Sequence, residues 1–290
     1  MSLGNIEIVD AHVHLFPSKE VGRQVVEMVK ATYGTPYYCT GSPDELDVTM
    51  HRAGITRAVA MNQAGAGEKA LNWLVSGNFF VCAYSKKHPE LIPAIGLDKK
   101  MKRNPAQEID HKLRWDARAV KLHPMVQKFY VNDRAMWPIY EKCEAVNLPI
   151  IFHSGKMMVK GLPDYARPDL FQEVLKAFPK LKVVLAHMGG GFWKEALKLA
   201  HAFPQNVFFD TAIAVSGAPI PDFLRLTDEM AVKMIREIGA HRVMFGSDFP
   251  WIDPTADIER IKSLPLTDEE KQMILGENAL KFFKSSKPSH

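Results

Sequence analysis

Two histidines near the start of the chain have a spacing that could hold a metal ion. They are His12 and His14, and they lie in the stretch IEIVDAHVHLFP, residues 6–17, which begins as an apolar strand. Side chains alternate along a strand, so the two imidazoles face the same side and can bind one ion together. Taken alone, however, the pair could equally lie on a loop.

Further residues able to bind metal or move a proton stand where other apolar runs end. They are Lys121-Leu122-His123, His153, His187, Asp210 and Ser247-Asp248. With the first pair, five of the 11 histidines lie at such ends, which chance placement does not predict. Three imidazoles and one carboxylate, from His12, His14, His153 and Asp248, would suit zinc, manganese or iron. Five other histidines are interpreted as surface or packing residues: His51, His88, His111, His201 and His241.

Eight short apolar runs alternate with amphipathic segments along the chain. The runs are residues 6–12, 57–62, 91–97, 118–123, 148–153, 182–187, 206–211 and 242–247. This alternation predicts an α/β fold, a (β/α)8 TIM barrel forming a single domain over residues 1–290, with its catalytic groups at the carboxyl ends of the strands. A doubly wound open sheet is the alternative. It usually has fewer strands, and no GxGxxG motif follows the first strand.

Capping signals locate three of the helices that connect these strands. They predict helices over residues 42–54, 132–147 and 267–282. The insertion between the first two strands, residues 17–56, is long and contains several tyrosines, so we expect it to cover the site as a lid. The polar tail SSKPSH is expected to be frayed.

The bulk composition is that of a globular protein, and it argues against several classes of partner and location. The net charge of +4 is small and lacks blocks of like charge, which argues against nucleic-acid binding. Neither a signal-peptide pattern nor a run of 18 apolar residues occurs, so we expect a cytoplasmic protein without membrane contact. Three scattered cysteines argue against disulfides and a cysteine zinc site. A homodimer is expected from base rates alone.

Five motifs along the chain resemble those of the amidohydrolase superfamily. In order, they are DAHVHLF, AVKLHP, IFHSG, VVLAHMGGG and VMFGSDFPW. More narrowly, they resemble the amidohydrolase-2 group of metal-dependent hydrolases and decarboxylases, which includes aminocarboxymuconate-semialdehyde decarboxylase-like enzymes. The resemblance runs from residue 6 to about residue 280 and matches no single member of the group.

The resemblance implies a role for each residue of the metal site. It makes His12, His14, His153 and Asp248 the metal ligands. It places His187 beside the substrate as a general acid/base or orienting group. Asp248 would also accept a proton while remaining a ligand.

The resemblance implies one divalent metal ion, with zinc expected first and manganese or iron as alternatives. In superfamily members with two metals, a lysine of the fourth strand is carboxylated and bridges them. Lys121 lies on that strand, so a two-metal site is the less favoured alternative. In a single-metal site, Lys121 and His123 would instead contact the ligands or the substrate. Asp10 is expected to orient a ligand of the first strand through a hydrogen bond.

Residues near the expected mouth suggest a class of substrate. Lys121, His123 and Lys156 would favour a substrate that carries a carboxylate. Phe16 and Trp251 could flank a planar ring. We therefore expect a small-molecule substrate with a carboxylate and an unsaturated or aromatic part.

Several functions remain compatible with these residues. The leading expectation is hydrolysis of a small carbonyl-containing substrate by a metal-activated water, with Asp248 as the base. The alternative is metal-dependent decarboxylation of an aromatic or unsaturated carboxylic acid at the same site. A third reading is a non-catalytic or metal-free barrel. Phosphoesterases of the polymerase-and-histidinol-phosphatase type also begin with DxHxH, but they generally carry more histidines than this chain offers.

Overall fold

Eight parallel strands form one closed sheet in the order in which they occur along the chain. The computed structural model describes residues 6–62, 68–157, 159 and 161–284, and for residues 68–70 it describes the backbone alone. Each strand pairs in parallel with the next one along the chain. The strands are β1 (Ile8–His14), β2 (Ile55–Met61), β3 (Leu91–Gly96), β4 (Ala119–Leu122), β5 (Ile150–Phe152), β6 (Val183–Leu185), β7 (Val207–Asp210) and β8 (Val243–Met244). The predicted single-domain (β/α)8 TIM barrel is confirmed.

Helices surround the sheet and connect its strands. They are α1 (Lys19–Tyr33), α2 (Pro43–Ala53), α3 (Glu68–Ser85), α4 (Pro105–Leu113), α5 (Pro124–Gln127), α6 (Trp137–Ala145), α7 (Phe171–Ala177), α8 (Trp193–Ala202), α9 (Asp228–Ile238), α10 (Pro254–Ser263), α11 (Asp268–Gln272) and α12 (Asn278–Phe282). Short 3₁₀ turns cover Arg134–Met136, Pro168–Leu170, Ala186–Gly189 and Ala240–Arg242, and a π-helical turn, Met273–Glu277, joins α11 to α12.

The helix predicted over residues 42–54 forms because its ends are chemically satisfied. The Ser42 side chain accepts a hydrogen bond from the Glu45 backbone, and the Glu45 side chain accepts one from the Ser42 backbone. Pro43 occupies the first turn, where a missing N–H costs nothing. Gly54 ends the helix in the left-handed conformation. The same reciprocal capping opens α11 at Thr267, as predicted.

The two faces of each strand pack into different apolar layers. Alternate strand residues, among them Val9, Ala119, Ile151 and Val184, form a compact cluster that we place inside the barrel. Their neighbours along the strands pack with helix side chains in the larger outer layer. Because side chains alternate, a residue two positions beyond an inward-facing one also points inward, beyond the end of the apolar filling. Lys121 lies two positions beyond the inward-facing Ala119, so its side chain also points into the barrel.

The barrel closes where the site residues of its first and last strands meet. The amide of Ala11 donates to the Phe245 carbonyl at 2.8 Å, and the amide of Asp248 donates to the His12 carbonyl at 3.0 Å. The pairing of β1 with β2 also shifts register between Asp10 and Val13, as at a β-bulge. The backbones that carry His12 and Asp248 are therefore bonded to each other.

The insertion predicted as a lid contains two helices. Residues 17–56 hold α1, which the sequence did not predict, and α2. Tyr33 at the end of α1 and Thr35 just after it line the pocket described below. Its action as a lid stays a prediction. The tail SSKPSH lies outside the described residues, all three cysteine thiols are free, and none of the described helices is long and apolar enough to cross a membrane.

Candidate metal centre

Three predicted ligands meet at the carboxyl end of the barrel. His12 Nε2 lies 3.2 Å from His14 Nε2, and Asp248 Oδ1 lies 3.3 Å from each of these nitrogens. The two histidines are buried, whereas the Asp248 side chain keeps 16% of its surface exposed. The cluster therefore has one side open to the pocket above it.

The spacing of these three atoms fits a metal ion. Ligands about 2.0–2.1 Å from a tetrahedral ion lie about 3.3 Å apart, and adjacent ligands of an octahedral ion with similar bonds lie about 3.0 Å apart. The observed separations of 3.2 and 3.3 Å fall in this range. A divalent ion would also offset the repulsion between a carboxylate and two imidazole lone pairs. The donor set thus fits a divalent metal ion, the class of cofactor expected from the sequence.

Asp210 fixes the orientation of His12. Its Oδ2 accepts a hydrogen bond from His12 Nδ1 at 2.8 Å, and both groups are fully buried. Because the Asp210 carboxylate can only accept a hydrogen bond, the imidazole proton of His12 lies on Nδ1. The lone pair of His12 Nε2 therefore points at His14 and Asp248. Asp210 Oδ1 accepts from the backbone of His187 at 2.9 Å. The sequence placed Asp210 at a strand end but assigned it no role. Its position at the end of a strand was the only feature of the sequence that indicated a place in the site.

Lys121 lies on the floor of the same cluster. Its Nζ is 3.0 Å from His12 Nε2, and the side chain is 1% exposed. Burial lowers the pKa of Lys121 to about 8. The lysine therefore contacts the cluster directly, and its carboxylation in a two-metal site stays a prediction.

A second group of imidazoles stands beside the cluster. His187 Nδ1 donates to the Ala212 carbonyl at 3.2 Å, and His187 Nε2 lies 3.1 Å from His153 Nδ1. The ring of His153 stacks on that of His123 at 4.1 Å with an interplanar angle of 7°. If His153 donates from Nδ1 to His187, its Nε2 keeps a free lone pair. That atom is buried and has no hydrogen-bond partner within the described part of the chain.

His153 does not belong to the close ligand set. Two groups of possible ligands lie within 4.8 Å of one another in the described ranges, namely His12 with His14 and Asp248, and His12 with His187 and Asp210. The unpartnered Nε2 of His153 has the chemistry of a ligand. Its role as the fourth ligand stays a prediction.

The backbone around the site adopts unusual conformations. His187, Met188 and Asp248 have positive φ angles of 60°, 49° and 63°. Such angles are uncommon for residues other than glycine and often occur at functional sites. The glycines that follow His187 allow close approach, because a Cβ on Gly155 would lie 2.3 Å from the Gly190 carbonyl oxygen. The loops after β5 and β6 therefore touch through their backbones.

Asp10 acts on the backbone rather than on an imidazole. Its Oδ1 accepts from the amides of His12 and Ser247 at 3.0 Å each, and its Oδ2 accepts from the Ser247 hydroxyl. Asp10 would therefore orient the ligand of the first strand, as predicted, through the backbone and not through the imidazole ring. Asp10 holds the main chain of His12 beside the segment that carries Asp248.

Burial keeps the imidazoles in the form that binds metal. It lowers the pKa of His12 to about 3 and those of His14 and His187 to about 4. Burial would raise the pKa of Asp248, but its histidine neighbours, His12 first, hold it below its ordinary value. Near neutral pH the ligands are therefore neutral imidazoles and an ionised carboxylate, as metal binding requires.

The pocket above the cluster has an apolar wall. It measures about 650 Å³ including its open mouth. The side chains that form its apolar sides come from several loops and from α1: Val29, Tyr33, Val126, Met157, Ile213, Leu224 and Trp251. The sequence predicted Trp251 as a substrate contact and named Tyr33 within the insertion expected to cover the mouth. The others are ordinary aliphatic residues with no chemical signal.

The remaining predicted substrate contacts divide into two groups. Lys121, His123, Lys156 and Trp251 all line the pocket, and Lys156 lies at its exposed rim. Trp251 packs edge-on against His14, with ring centroids 4.8 Å apart. Phe16 does not line the pocket and instead packs behind its wall, in a cluster with Val29, Tyr33, Val126 and Trp251. It can therefore support the wall but does not face a ligand there.

The five histidines interpreted as surface or packing residues lie away from this pocket. His88 pairs with Glu90 at 3.1 Å on the surface. His201 contacts the Glu237 carbonyl, also on the surface. Neither is placed to bind the same ion as His12.

Comparison with known proteins gives a family match over most of the chain. The family model described as Amidohydrolase (Amidohydro_2) matches residues 9–284. A curated relative, the 2-amino-3-carboxymuconate-6-semialdehyde decarboxylase of Dictyostelium discoideum, is 28% identical over 180 residues. That stretch is 52% of this chain and 49% of the relative, so the chain spans about half the length of the decarboxylase that it matches.

Solved structures with the same fold include two decarboxylases. The 5-carboxyvanillate decarboxylase of Sphingomonas paucimobilis is 16% identical, with a TM-score of 0.72 over 96% of this chain and 99% of that one. The enzyme of that name from Novosphingobium aromaticivorans, solved with bound manganese, is 14% identical, with a TM-score of 0.71 over 98% of both chains. Identities this low show a shared fold. Membership rests on the family match, which runs from β1 to the end of the last helix, and the chain therefore belongs to the amidohydrolase family.

Proposed function

We propose that this protein is a metal-dependent decarboxylase of a small aromatic or unsaturated carboxylic acid. The observation that carries the proposal is the division of one pocket into a polar floor and an apolar wall. The floor holds His12, His14, Asp248 and Lys121, whereas the wall is built from side chains such as Leu224 and Trp251. A substrate with a carboxylate at one end and a flat apolar body fits this division.

The relatives support decarboxylation over the hydrolysis that the sequence first suggested. The curated relative and both structures named above are decarboxylases. The sequence could not separate hydrolysis from decarboxylation, because both chemistries use the same residues of one site. The alternative expectation, decarboxylation, is therefore the one that we propose.

His12, His14 and Asp248 would hold the ion, with His153 as the proposed fourth ligand. When bound, a divalent ion would neutralise and orient the substrate carboxylate or a neighbouring hydroxyl. Manganese is the first candidate because a decarboxylase of the same fold was solved with it, and zinc and iron are the alternatives. We propose one ion for each chain.

The reaction requires a proton at the carbon that loses its carboxyl group. The bond between that carbon and the carboxylate breaks, CO₂ leaves, and the electron pair remains on the carbon. His187 is the proposed proton carrier. Its Nδ1 is engaged by the Ala212 carbonyl, so a proton would be exchanged at Nε2, the nitrogen that also lies 3.1 Å from His153 Nδ1. The proton comes from solvent, which reaches Asp248 through its exposed side, and the carboxylate would return to its ionised form once the carbon is protonated.

The pocket walls and rim would orient the substrate and limit water. Trp251 and the aliphatic wall residues would pack on the faces of a ring. Lys156 at the rim would attract an anion towards the mouth. Apolar surroundings also strengthen the interactions that polar groups on the floor make with a charged substrate.

Hydrolysis remains a second candidate because of one feature of Asp248. Its side chain is ionised and partly exposed to the pocket, which is the arrangement expected of a base that activates water. The same floor residues would serve, and the substrate would be a small ester, lactone or amide.

A two-armed assay on the metal-loaded protein tests these candidates. One arm measures CO₂ release from a panel of hydroxybenzoates and unsaturated acids, and the other measures hydrolysis of esters, lactones and amides. We expect CO₂ release that is lost after chelation and reduced at least about 1000-fold in Asp248→Asn. Asp47→Asn is the control, because Asp47 is exposed on α2 and lies outside the pocket.

Each outcome selects among the functions. Hydrolysis without CO₂ release would favour the second candidate. CO₂ release that survives complete removal of metal would contradict the proposed metal dependence. Absence of both products, in protein shown to hold one ion, would count against both enzymatic proposals and favour the non-catalytic barrel.

A further inference from the structure

The loop between β7 and α9 contributes directly to the candidate site. This β7–α9 loop, residues 211–227, has no helix or strand. Its Ala212 carbonyl accepts the hydrogen bond from His187 Nδ1, and its Ile213 and Leu224 side chains line the pocket. Loops of this length without regular structure are uncommon and usually functional. Contacts from other parts of the fold must therefore fix the conformation of this loop.

Arg260 on α10 binds the backbone of this loop near both of its ends. Its Nη1 donates to the Ser216 carbonyl at 2.9 Å, and its Nη2 donates to the Leu226 carbonyl at 2.6 Å. It also pairs with Asp228 at the start of α9, at 2.8 Å. The planar guanidinium sets the distance between the two carbonyls, which a lysine cannot do.

Asp257, one turn earlier on α10, binds the same loop. Its Oδ1 accepts from the Ser216 hydroxyl at 2.6 Å and from the Gly217 amide at 2.9 Å. Gly217 lies so close to α10 that an added Cβ would be 2.2 Å from the Ala256 carbonyl oxygen. Asp257 and Arg260 are 2% and 7% exposed, and neither lines the pocket. Every side-chain hydrogen bond described for them goes to the loop or to the start of α9.

The loop has a strained residue that needs such support. Ile213 has a φ of 60°, which is a rare conformation for a β-branched residue. The neighbouring Ala212 carbonyl accepts from both the Ala214 amide, at 2.5 Å, and His187 Nδ1, at 3.2 Å. Strained residues persist only where the surrounding structure determines their conformation. Here the strain turns the Ala212 carbonyl towards His187 and the Ile213 side chain into the pocket.

We propose that Asp257 and Arg260 are a positioning pair that sets the β7–α9 loop over the substrate pocket. The pair acts through two contacts of the loop, the Ala212 carbonyl on His187 and the apolar wall at Ile213 and Leu224. Loss of the pair would weaken substrate binding without removing any proposed ligand of the metal. The kinetic part of this inference rests on the proposed function, whereas its structural part does not.

Two measurements on the metal-loaded protein test the positioning pair. In Arg260→Lys and Asp257→Ala, we expect KM to rise at least about tenfold, with bound metal unchanged. In the same variants, the amides of Gly217 and Leu226 should exchange with deuterium at least about tenfold faster. Asp257→Asn keeps an oxygen for Ser216 and Gly217, so it should retain nearly the wild-type KM and exchange rate.

Arg242→Lys is the matched control for Arg260→Lys. Arg242 is also buried and also donates to backbone carbonyls, at Ile238 and Ala200, but it precedes β8 at the opposite end of the barrel. It should lower thermal stability without changing KM.

Three results would overturn the inference. They are a wild-type KM in both positioning variants, faster loop exchange without a rise in KM, and an equal rise in KM in the Arg242 control. The exchange experiment requires no turnover. A failure of the proposed decarboxylation would therefore be distinguishable from a failure of the positioning pair, and KM would be measured with whichever substrate the wild type converts.

Discussion

Replacing Asp210 by asparagine should weaken metal binding although Asp210 is not a proposed ligand. Asp210 Oδ1 accepts from the backbone of His187 and Ala212, and Oδ2 accepts from His12 Nδ1. An asparagine would keep its oxygen towards the two amides and present its NH₂ group to His12. Two donors would then face each other, so His12 would move its proton to Nε2. That nitrogen could no longer bind a metal ion.

The magnitude follows from the burial and the length of this contact. The His12–Asp210 hydrogen bond is 2.8 Å long and fully buried, and bonds of this charged type contribute about 1.5–3 kcal/mol. Removing the hydrogen-bond partner of a ligating histidine typically weakens metal binding by about 10–100-fold, or about 1.4–2.8 kcal/mol. We therefore expect the Kd for manganese or zinc to rise by about 10–100-fold.

The assay is a competition titration of metal between the protein and a chelator. Asp10→Asn is a control of similar depth beside the same histidine. Its oxygen can still accept from the amides of His12 and Ser247, and its NH₂ can donate to the Ser247 hydroxyl. Because the proton on the His12 ring is unaffected, Asp10→Asn should keep its Kd within about threefold. A wild-type Kd in Asp210→Asn would refute this account of the tautomer, as would an equal loss in both variants.

Three further outcomes are expected. Metal analysis of the loaded protein should give about one ion per chain, and two ions that are reduced to one by Lys121→Ala would establish the alternative two-metal site. Gly155→Ala should lower the free energy of unfolding in urea by roughly 2–5 kcal/mol, because Gly155 has a φ of 98° and its Cβ would overlap the Gly190 carbonyl. Gly34→Ala, with a φ of 64° and open space around it, should cost only about 1–2 kcal/mol, and equal losses would contradict the steric argument. Burial raises the pKa of Asp257 from 3.8 to about 7, so the stability from its protonated form is complete below about pH 4 and is lost as the pH rises through 7. Relative to Asp257→Asn, the wild type should therefore lose ~2–4 kcal/mol of unfolding free energy between pH 4 and 8, and parallel pH profiles would exclude this effect.

The strands were predictable because apolar runs and polar ends are local features. All eight predicted runs overlap an observed strand, although β8 is only Val243–Met244. The boundaries differ because hydrogen bonding to neighbours, rather than hydrophobicity, decides where a strand ends. The helix predicted over residues 132–147 begins as a 3₁₀ turn at Arg134 and becomes α6 at Trp137.

The site was only partly predictable because several contacts join residues far apart in the chain. His12, His14 and Asp248 meet as expected, since parallel strands bring their carboxyl ends to one face of the barrel. The link from Asp210 to His12 depends on where two side chains meet inside the barrel, and no local pattern records that. For the same reason, the sequence could not show that Phe16 packs behind the pocket wall.

The sequence by itself determined the barrel and the chemical types of its polar floor. Strand periodicity, capping residues and strand-end histidines act over a few residues and can be read in order along the chain. The tertiary structure decided which of these groups touch, through the register that closes β1 on β8 and the loops that cross the mouth. It also supplied the apolar wall over the floor, because ordinary residues such as Ile213 and Leu224 acquire a function only through the positions that the fold gives them.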